Sequence, residues 1–282
     1  MYRNDKKIAV LLATFNGARY IGAQLESLSR QSCDAFHVYV RDDGSTDSSG
    51  KLCDEIAQND DRIKVIHKQN GGLSSVEDGG QRMGAAKSFM SLLSVVDSDY
   101  YMFCDQDDVW LDFKIESTFA RMQQVENGET PVVVATDLKV VDENLETIRE
   151  SFNVDLKIEV FRKHPQLICV RHVVTGCTMM LNRFAKMVSL PMSDLATMHD
   201  EWVALCVHFN GGSISLLDEA TICYRQHSSN TLGANQATRS FFDRASSQSG
   251  RKQFKRAAKL LGKEFGVSFP RFLLYKILYS WL

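Results

Sequence analysis

The sequence has few of the features that would place it in a specialised class of protein. It contains only four prolines among its 282 residues, and no apolar run approaches the roughly 18–20 residues of a membrane-spanning helix. The apolar stretch near the start, IAVLLAT, is short and runs into a polar turn with no small-residue cleavage site. This pattern favours a first core strand over a signal peptide.

The cysteines show no framework for disulfides or for zinc. All seven are scattered, with no C-x-x-C pair and no adjacent histidine at zinc spacing. An odd number without such a pattern predicts reduced thiols, most of them small core residues, in a cytoplasmic compartment.

The formal net charge of −2 conceals an uneven distribution of charge. Residues 239–282 carry ten Lys or Arg against two acids, so residues 1–238 are acidic overall. A nucleic-acid-binding module is disfavoured, because the basic charge is confined to the tail while the strand-end motifs are acidic. We expect one α/β domain over 1–238 and a basic, amphipathic, helical C-terminal region over 239–282. That region is either a solvated helical face or a patch for anionic lipid or polyphosphate.

The first half of the chain alternates strand-like and helix-like segments. The runs KIAVLLAT, AFHVYV, RIKVIHK and DYYMFCD read as strands, and segments with apolar residues at helical spacing separate them. This alternation predicts right-handed βαβ units in an α/β, Rossmann-like fold with a mostly parallel central sheet and flanking helices. The second half is less regular, and SISLLDEATICYRQHSSNTLG is predicted to hold two strands and a polar loop.

Polar residues follow the end of each of the four predicted strands. In parallel sheets of this kind, ligands bind at the carboxyl ends of the strands, so we expect these side chains to converge. They are Thr14 and Asn16, Asp42 and Asp43, Asn70 to Gly72, and Asp105 to Asp108.

The motif FCDQDDVW, residues 103–110, carries the most specific chemical signal. Asp105 and Asp107 form a D-x-D pair at a strand end, where both carboxylates can reach one hard divalent cation such as Mg²⁺ or Mn²⁺. The alternative is an acidic turn in which Asp107 or Asp108 caps a helix starting near Trp110. The three other polar strand ends favour the metal site.

Two further motifs allow a structural and a functional interpretation. In RDDGSTD, a carboxylate could accept from a pyrimidine N3–H or a ribose hydroxyl, or the segment is an Asp-Gly turn before a helix. In HDEW, Asp200 and Glu201 begin a predicted helix, where a carboxylate is either a simple cap or a general base.

The motif YRQH supplies two side chains of a different kind. Arg225 and His227 are suited to a diphosphate and its metal, although a surface loop has the same composition. The other histidines, His172 among them, show no spacing that suggests a ligand, and we interpret them as structural.

Taken together and in this order, these motifs resemble the family 2 glycosyltransferases, which have the GT-A fold. The resemblance covers residues 6–235, from LLATFNGARYIGAQLESLSRQS through VRDDGSTD, FCDQDDVW and HDEW to YRQHSSNTLG. CDQDDVW with YRQHSSNTLG is most similar to the bacterial rhamnosyltransferase branch, which builds surface polysaccharides. The resemblance implies inverting transfer of a sugar, with L-rhamnose as one candidate, from a dTDP- or UDP-sugar to a growing or lipid-linked glycan.

The resemblance also implies a role for residues that would hold the donor. Thr14, Asn16 and Asp43 match the positions that hold the nucleoside. Asp105 matches a residue that engages the metal and the donor ribose or diphosphate. Arg225 is assigned to the diphosphate by the chemistry of its guanidinium and not by the resemblance.

The remaining implied roles concern the cofactor and the chemistry. A divalent cation, Mn²⁺ or Mg²⁺, would be held by Asp107 and Asp105, with His227 at a position that helps bind metal or diphosphate. Asp200 matches the acid that acts as general base. The family often has a second aromatic residue where Glu201 stands, so Glu201 remains the alternative base.

An acceptor on a lipid carrier would place the protein in the cytoplasm, at the inner face of the plasma membrane. The basic C-terminal region would then serve for peripheral attachment to anionic lipid. A helical oligomer contact or a plain cover for the sheet explains the same region.

Two other functions fit parts of the pattern. A nucleotidyltransferase would have a glycine-rich loop with Lys or Arg directly after strand one, whereas ATFNGARY offers only Arg19. A non-catalytic protein that binds nucleotide sugars or glycans predicts binding without turnover, and the presence of Asp200 argues against it.

Overall fold

The computed structural model describes residues 7–66, 83–227 and 248–282. Its strands are β1 (Ile8–Thr14), β2 (Phe36–Asp42), β3 (Ile63–Val65), β4 (Tyr100–Asp105), β5 (Val109–Trp110), β6 (Val132–Val141), β7 (Thr147–Arg149), β8 (Met179–Asn182) and β9 (Ser213–Arg225). Its helices are α1 (Ile21–Ser29), α2 (Ser49–Ala57), α3 (Ala85–Val95), α4 (Lys114–Val125), α5 (Asn153–Leu156), α6 (Ile158–Lys163), α7 (Arg183–Ser189), α8 (His199–Phe209), α9 (Gln248–Phe265) and α10 (Phe269–Trp281). Short 3₁₀ turns cover Pro165–Cys169 and Gly176–Thr178.

The strands form one sheet in the order β3-β2-β1-β4-β8-β6-β9-β5, with β7 paired to β6. The first four in this order are parallel neighbours, as the strand–helix alternation predicts. Beyond β4 the antiparallel β8 intervenes, and β6 and β9 again run parallel. The carboxyl ends of β1, β2 and β4 therefore lie side by side, with Thr14 opposite Asp42 and Ala13 opposite Asp105.

The core lies on both faces of the sheet, which explains the uninterrupted apolar runs of the strands. Along β1, Ala9 and Leu11 belong to one buried cluster, while Ile8, Val10 and Leu12 belong to the other. A strand that alternates in this way has no solvent-facing side, so every position favours an apolar residue.

The C-terminal helices pack onto the first of these two clusters. Leu260 and Leu261 of α9 and Phe272 of α10 are buried in it, and the ring of Phe265 stacks on that of Phe209 in α8 at 4.6 Å. The helical content expected for this region is therefore present over 248–281. Within the described part of the chain, none of the helices is long and apolar enough to cross a membrane.

Two local predictions differ from the structure, and a third falls on residues that it does not describe. The segment expected to hold two strands is the single 13-residue β9, whose pairing with β6 shifts register twice. Trp110 does not lie at a helix start, because it pairs with Ile222 in β5 and the following helix begins at Lys114. The expected polar end after β3, Asn70 to Gly72, lies outside the described residues.

Candidate active site at the carboxyl edge of the sheet

A glutamine amide ties the turn after β1 to the end of β4. Oε1 of Gln106 accepts from the Thr14 hydroxyl at 2.6 Å and from the Phe15 N–H at 2.8 Å, and its Nε2 donates to the Phe15 carbonyl at 3.2 Å. Thr14 is buried at this junction. The first predicted donor residue is therefore held against the acidic motif itself.

Asn16 connects the turn after β1 to the turn after β2. Its side-chain oxygen accepts from the Thr46 N–H at 2.8 Å, and its own N–H donates to Oγ of Ser45 at 2.8 Å. The φ angle of Asn16 is 50°, in the left-handed region that asparagine tolerates better than most residues. Thr14 and Asn16 thus lie on one turn that is fixed at both sides.

Asp43 follows β2 and is buried. Its two carboxylate oxygens accept from the backbone N–H groups of Met83 (3.1 Å) and Gly84 (2.8 Å), just before α3 begins. The Arg41 guanidinium lies 4.0 Å away. The carboxylate is thereby fixed at the same edge of the sheet as Thr14, whose carbonyl accepts from the Asp43 N–H.

The acidic loop, residues 105–108, meets the end of β9. Nε2 of His227 lies 2.8 Å from Oδ2 of Asp107. The guanidinium of Arg225 donates to the carbonyls of Asp107 and Glu143, and the Arg225 N–H donates to Oδ1 of Asp108 at 3.1 Å. Asp108 is fully buried and orients β9; it does not cap α4, whose preceding residue is Phe113.

The aromatic ring of Tyr20 contacts two basic side chains: Arg225, the last residue of β9, and His227, which follows it. The ring of Tyr20 stacks on His227 with centroids 4.7 Å apart, and the Arg225 guanidinium lies 4.9 Å from the centre of the same ring. Aromatic faces attract guanidinium groups and fix their planes. Tyr20 therefore positions two side chains whose role the sequence had suggested from composition alone.

The negative charges of the acidic loop are crowded. Burial, the charge of Asp107 and the charge of Asp200 raise the pKa of Asp105 to about 7. Burial, the charge of Asp107 and the charge of Asp105 raise the pKa of Asp108 well above its usual range. The ammonium of Lys114, buried 4.6 Å from the ring centre of Trp110, is a nearby compensating charge.

The 3₁₀ turn Gly176–Thr178 joins the acidic loop to the start of α8. The Gly176 N–H donates to Oδ2 of Asp200 at 3.0 Å. Sγ of the next residue, Cys177, lies within 4.8 Å of carboxylate oxygens of Asp105 and Asp108. A Cβ on residue 176 would lie 2.5 Å from Nε2 of His199, so this close approach requires glycine. Two consecutive residues thus bring Asp200 to the acidic loop.

Asp200 lies in the first turn of α8, as predicted, and is buried. Its Oδ1 accepts from the Glu201 N–H at 2.8 Å, and Nε2 of His172 lies 3.2 Å from its Oδ2. Burial alone would raise the pKa of Asp200, but the charge and hydrogen bond of His172 hold it well below its usual range. Asp200 is therefore ionised across the physiological range of pH.

The predicted metal ligands are of the chemical types that bind divalent cations. Asp105 and Asp107 offer carboxylate oxygens, His227 offers a ring nitrogen, and a cation would relieve the repulsion that raises the pKa of Asp105. Among the described residues, the three ligand atoms that lie within 4.8 Å of one another belong to Asp105, Asp108 and Cys177, a group that does not include Asp107 or His227. Burial raises the pKa of the Cys177 thiol well above its usual range, so the thiol is protonated there and is not a thiolate ligand. We assign that grouping to support of the loop.

The sequence analysis did not identify four residues that contribute to this edge of the sheet. Gln106 lies inside the acidic motif but is neither charged nor a common ligand, and Tyr20 and Cys177 occupy helix-like and strand-like runs. His172 was interpreted as structural, although it contacts Asp200. The spacing of Asp200 and His172, 28 positions apart, gives no local signal for such a pair.

Comparison with known proteins agrees with this arrangement. The model of the family described as glycosyl transferase family 2 matches residues 9–186. Glycosyltransferase GlyG of Streptococcus pneumoniae serotype 4 is 30% identical over 127 residues, which are 45% of this chain and 38% of GlyG. The dTDP-rhamnosyl transferase RfbG of Shigella flexneri is 36% identical over 109 residues, 38% of this chain and 35% of RfbG. The matched segments thus span well under half the length of these relatives.

A solved structure extends the likeness to most of the chain. TarS of S. aureus, residues 1–349 in complex with UDP-GlcNAc, superposes with a TM-score of 0.56 over 93% of this chain and 73% of that chain, at 20% identity. At this level of identity the likeness concerns the fold alone. The predicted α/β class of GT-A type is thereby confirmed.

Proposed function

The chain belongs to glycosyl transferase family 2, and on this premise we propose that it is an inverting, metal-dependent glycosyltransferase that uses a nucleoside-diphosphate sugar. One observation carries the proposal. Gly176 donates to Asp200, and Sγ of the adjacent Cys177 lies within 4.8 Å of carboxylate oxygens of Asp105 and Asp108, so a candidate base and a candidate leaving-group site adjoin. An inverting displacement needs these two groups on opposite sides of one anomeric carbon.

Donor binding is assigned to the edge formed by β1 and β2. Thr14, Asn16 and Asp43 hold the nucleoside, and this is supported by their fixed positions on adjoining turns. Carboxylate and amide oxygens suit the N–H groups of a pyrimidine and the hydroxyls of a ribose. Asp105 engages the ribose or diphosphate, and Arg225 adds positive charge beside it.

A Mn²⁺ or Mg²⁺ ion would be held by Asp107 and Asp105 with His227. When bound, the ion neutralises the negative charge that develops on the departing diphosphate. The contact between His227 and Asp107 fixes both side chains before a ligand arrives.

Asp200 is the general base for the acceptor hydroxyl. The new bond forms between the acceptor oxygen and the anomeric carbon while the bond to the diphosphate breaks, and the hydroxyl proton passes to the Asp200 carboxylate. Three donors already orient this carboxylate. Glu201, the alternative base, follows it in α8, and its charge acts on His172.

The donor sugar is proposed from the relatives. L-rhamnose carried on dTDP is the first candidate, because the chain is similar to a dTDP-rhamnosyl transferase over part of its length. A UDP-sugar is the second, because the fold is that of a protein solved with UDP-GlcNAc. The acceptor would be a growing or lipid-linked glycan of a surface polysaccharide.

The organisation of the chain is part of the proposal. Residues 1–238 form the GT-A domain and residues 239–282 a basic helical region that attaches the enzyme to the cytoplasmic face of the plasma membrane. Its support is a pair of exposed stripes. Leu274, Ile277 and Trp281 of α10 are 60%, 49% and 84% exposed, and α9 carries cations along one face. Such helices bind anionic lipid surfaces because their apolar side chains are buried in the lipid and their cations are attracted to its negative charge.

The test is a panel of dTDP- and UDP-sugars offered to the purified chain with Mn²⁺ or Mg²⁺. Binding is measured by calorimetry, and release of nucleoside diphosphate is measured with and without a cell-extract acceptor. Release from one donor supports the proposal and identifies the sugar. Tight binding without release under every condition would favour a binding protein, and release of pyrophosphate would favour a nucleotidyltransferase.

A further inference from the structure

His172 links the buried carboxylate of Asp200 to solvent. It lies between the two 3₁₀ turns, and its Nε2 is 3.2 Å from Oδ2 of Asp200. The His172 side chain is 40% exposed, whereas that of Asp200 is 7% exposed. A titratable group that solvent can reach therefore contacts the group assigned as the base.

The surroundings of the pair leave His172 as its main source of positive charge. Glu201 and Arg171 face His172 with opposite effects on its pKa, the acid raising it and the arginine lowering it. His199 lies behind Asp200, between the rings of Phe89 and Phe103 at 4.4 and 4.7 Å. Burial lowers the pKa of His199 to about 4, so it is neutral at physiological pH.

We propose that His172 is a positioning residue for acceptor activation, which holds Oδ2 of Asp200 through Nε2–H and whose charge sets how strongly that carboxylate attracts the acceptor's proton. The inference rests on the proposed function, in which Asp200 is the base. It adds a residue that the sequence motifs do not include.

The direction of the effect follows from the charges. Although burial lowers the pKa of His172, the attraction of Asp200 outweighs it and raises that pKa above its ordinary value. Below this pKa, the imidazolium stabilises the ionised carboxylate and makes Asp200 a weak base. Above it, neutral His172 still donates from Nε2–H, while the carboxylate regains proton affinity. Turnover therefore rises with pH as His172 loses its proton.

The kinetic test compares the pH profile of kcat in the wild type and in His172→Asn. The asparagine amide keeps an N–H donor but never carries a charge. We expect an ascending limb in the wild type that is absent from His172→Asn, with donor affinity unchanged within about twofold. His37→Asn, an exposed histidine on β2, is the matched control and keeps the limb. A limb that persists in His172→Asn at the same pH would overturn the inference.

A second measurement does not depend on turnover. The imidazole of His172 is titrated by NMR in the wild type and in Asp200→Asn, with its signal assigned by its loss in His172→Asn. Since an opposite charge at this distance shifts a pKa by about 1–3 units, Asp200→Asn lowers the pKa of His172 by about 1 unit or more. An unchanged pKa of His172 in Asp200→Asn would overturn the proposed interaction between these two residues. A shifted pKa with no nucleotide release from any donor would instead refute the proposed function, and with it the role of the pair in acceptor activation.

Discussion

Nε2 of His227 lies 2.8 Å from Oδ2 of Asp107, although the two residues are 120 positions apart in the chain. The contact closes the carboxyl edge of the sheet, because it ties the segment after β9 to the loop after β4. It also separates Asp107 from Asp108, whose Oδ1 accepts from a backbone N–H of β9. Asp107 is thus proposed to bind the donor, whereas Asp108 stabilises the position of β9.

We predict that Asp107→Ala abolishes sugar transfer and removes the dependence of nucleotide binding on the cation. The loss in kcat is about 100-fold or more, since the variant removes charge stabilisation of the leaving group. Calorimetry with and without Mn²⁺ measures the binding. Asp112→Ala, which removes an exposed acid, is the control and keeps both properties. Cation-stimulated binding that survives in Asp107→Ala would contradict the assignment.

We predict that Asp200→Asn abolishes transfer but leaves donor affinity nearly intact. The amide keeps the size of the side chain but accepts no proton, so the chemical step fails while the donor site remains. Glu201→Gln retains activity, because the carboxylate that accepts from the Gly176 N–H is that of Asp200. Donor titration and single-turnover transfer separate the two effects. Equal losses of donor affinity in Asp107→Ala and Asp200→Asn would refute this division of roles.

We predict that Gln106→Ala weakens donor binding and destabilises the fold. The change leaves the Thr14 hydroxyl and the Phe15 N–H without their acceptor at a partly buried site, which costs about 1–3 kcal/mol. Denaturant unfolding measures the loss, and Gln123→Ala on the exposed face of α4 is the control. Unchanged donor affinity in Gln106→Ala would show that the turn after β1 does not need this anchor.

We predict that the chain binds vesicles of phosphatidylglycerol but not of phosphatidylcholine alone, and that binding weakens as salt rises. Leu274→Glu with Trp281→Ala reduces the bound fraction, since both side chains are exposed on α10. The control is Met187→Glu, an exposed apolar residue on α7. Vesicle co-sedimentation measures binding. Equal binding by the wild type and the double variant would show that the exposed apolar side chains of α10 do not contact the membrane.

The parallel half of the sheet was predictable from the sequence because its strands are buried on both faces. Such strands appear as unbroken apolar runs, and their ends placed Thr14, Asp43 and Asp105 correctly at one edge. The strand β5 was missed because two residues carry no periodicity. The segment of β9 was predicted to hold two strands, but it is one strand from which Asp218 and Glu219 project as exposed acids.

Within the candidate site, only the charged residues that belong to short sequence motifs could be predicted. The acids and basic residues of the motifs could be named, but the residues that fix them could not. His172 contacts Asp200, and Cys177 lies near Asp105, only because of the path that the chain takes between β7 and β8. Contacts of this kind depend on the fold, and one sequence contains no periodic signal for them.

The most direct test of the account is release of nucleoside diphosphate from the donor that the panel identifies, first with Mn²⁺ and then after EDTA. The account predicts release by the wild type that EDTA stops and added Mn²⁺ restores, and no release by Asp107→Ala under either condition. Release that is unaffected by EDTA, or that Asp107→Ala retains, would contradict the claim that the acidic loop holds a cation for sugar transfer.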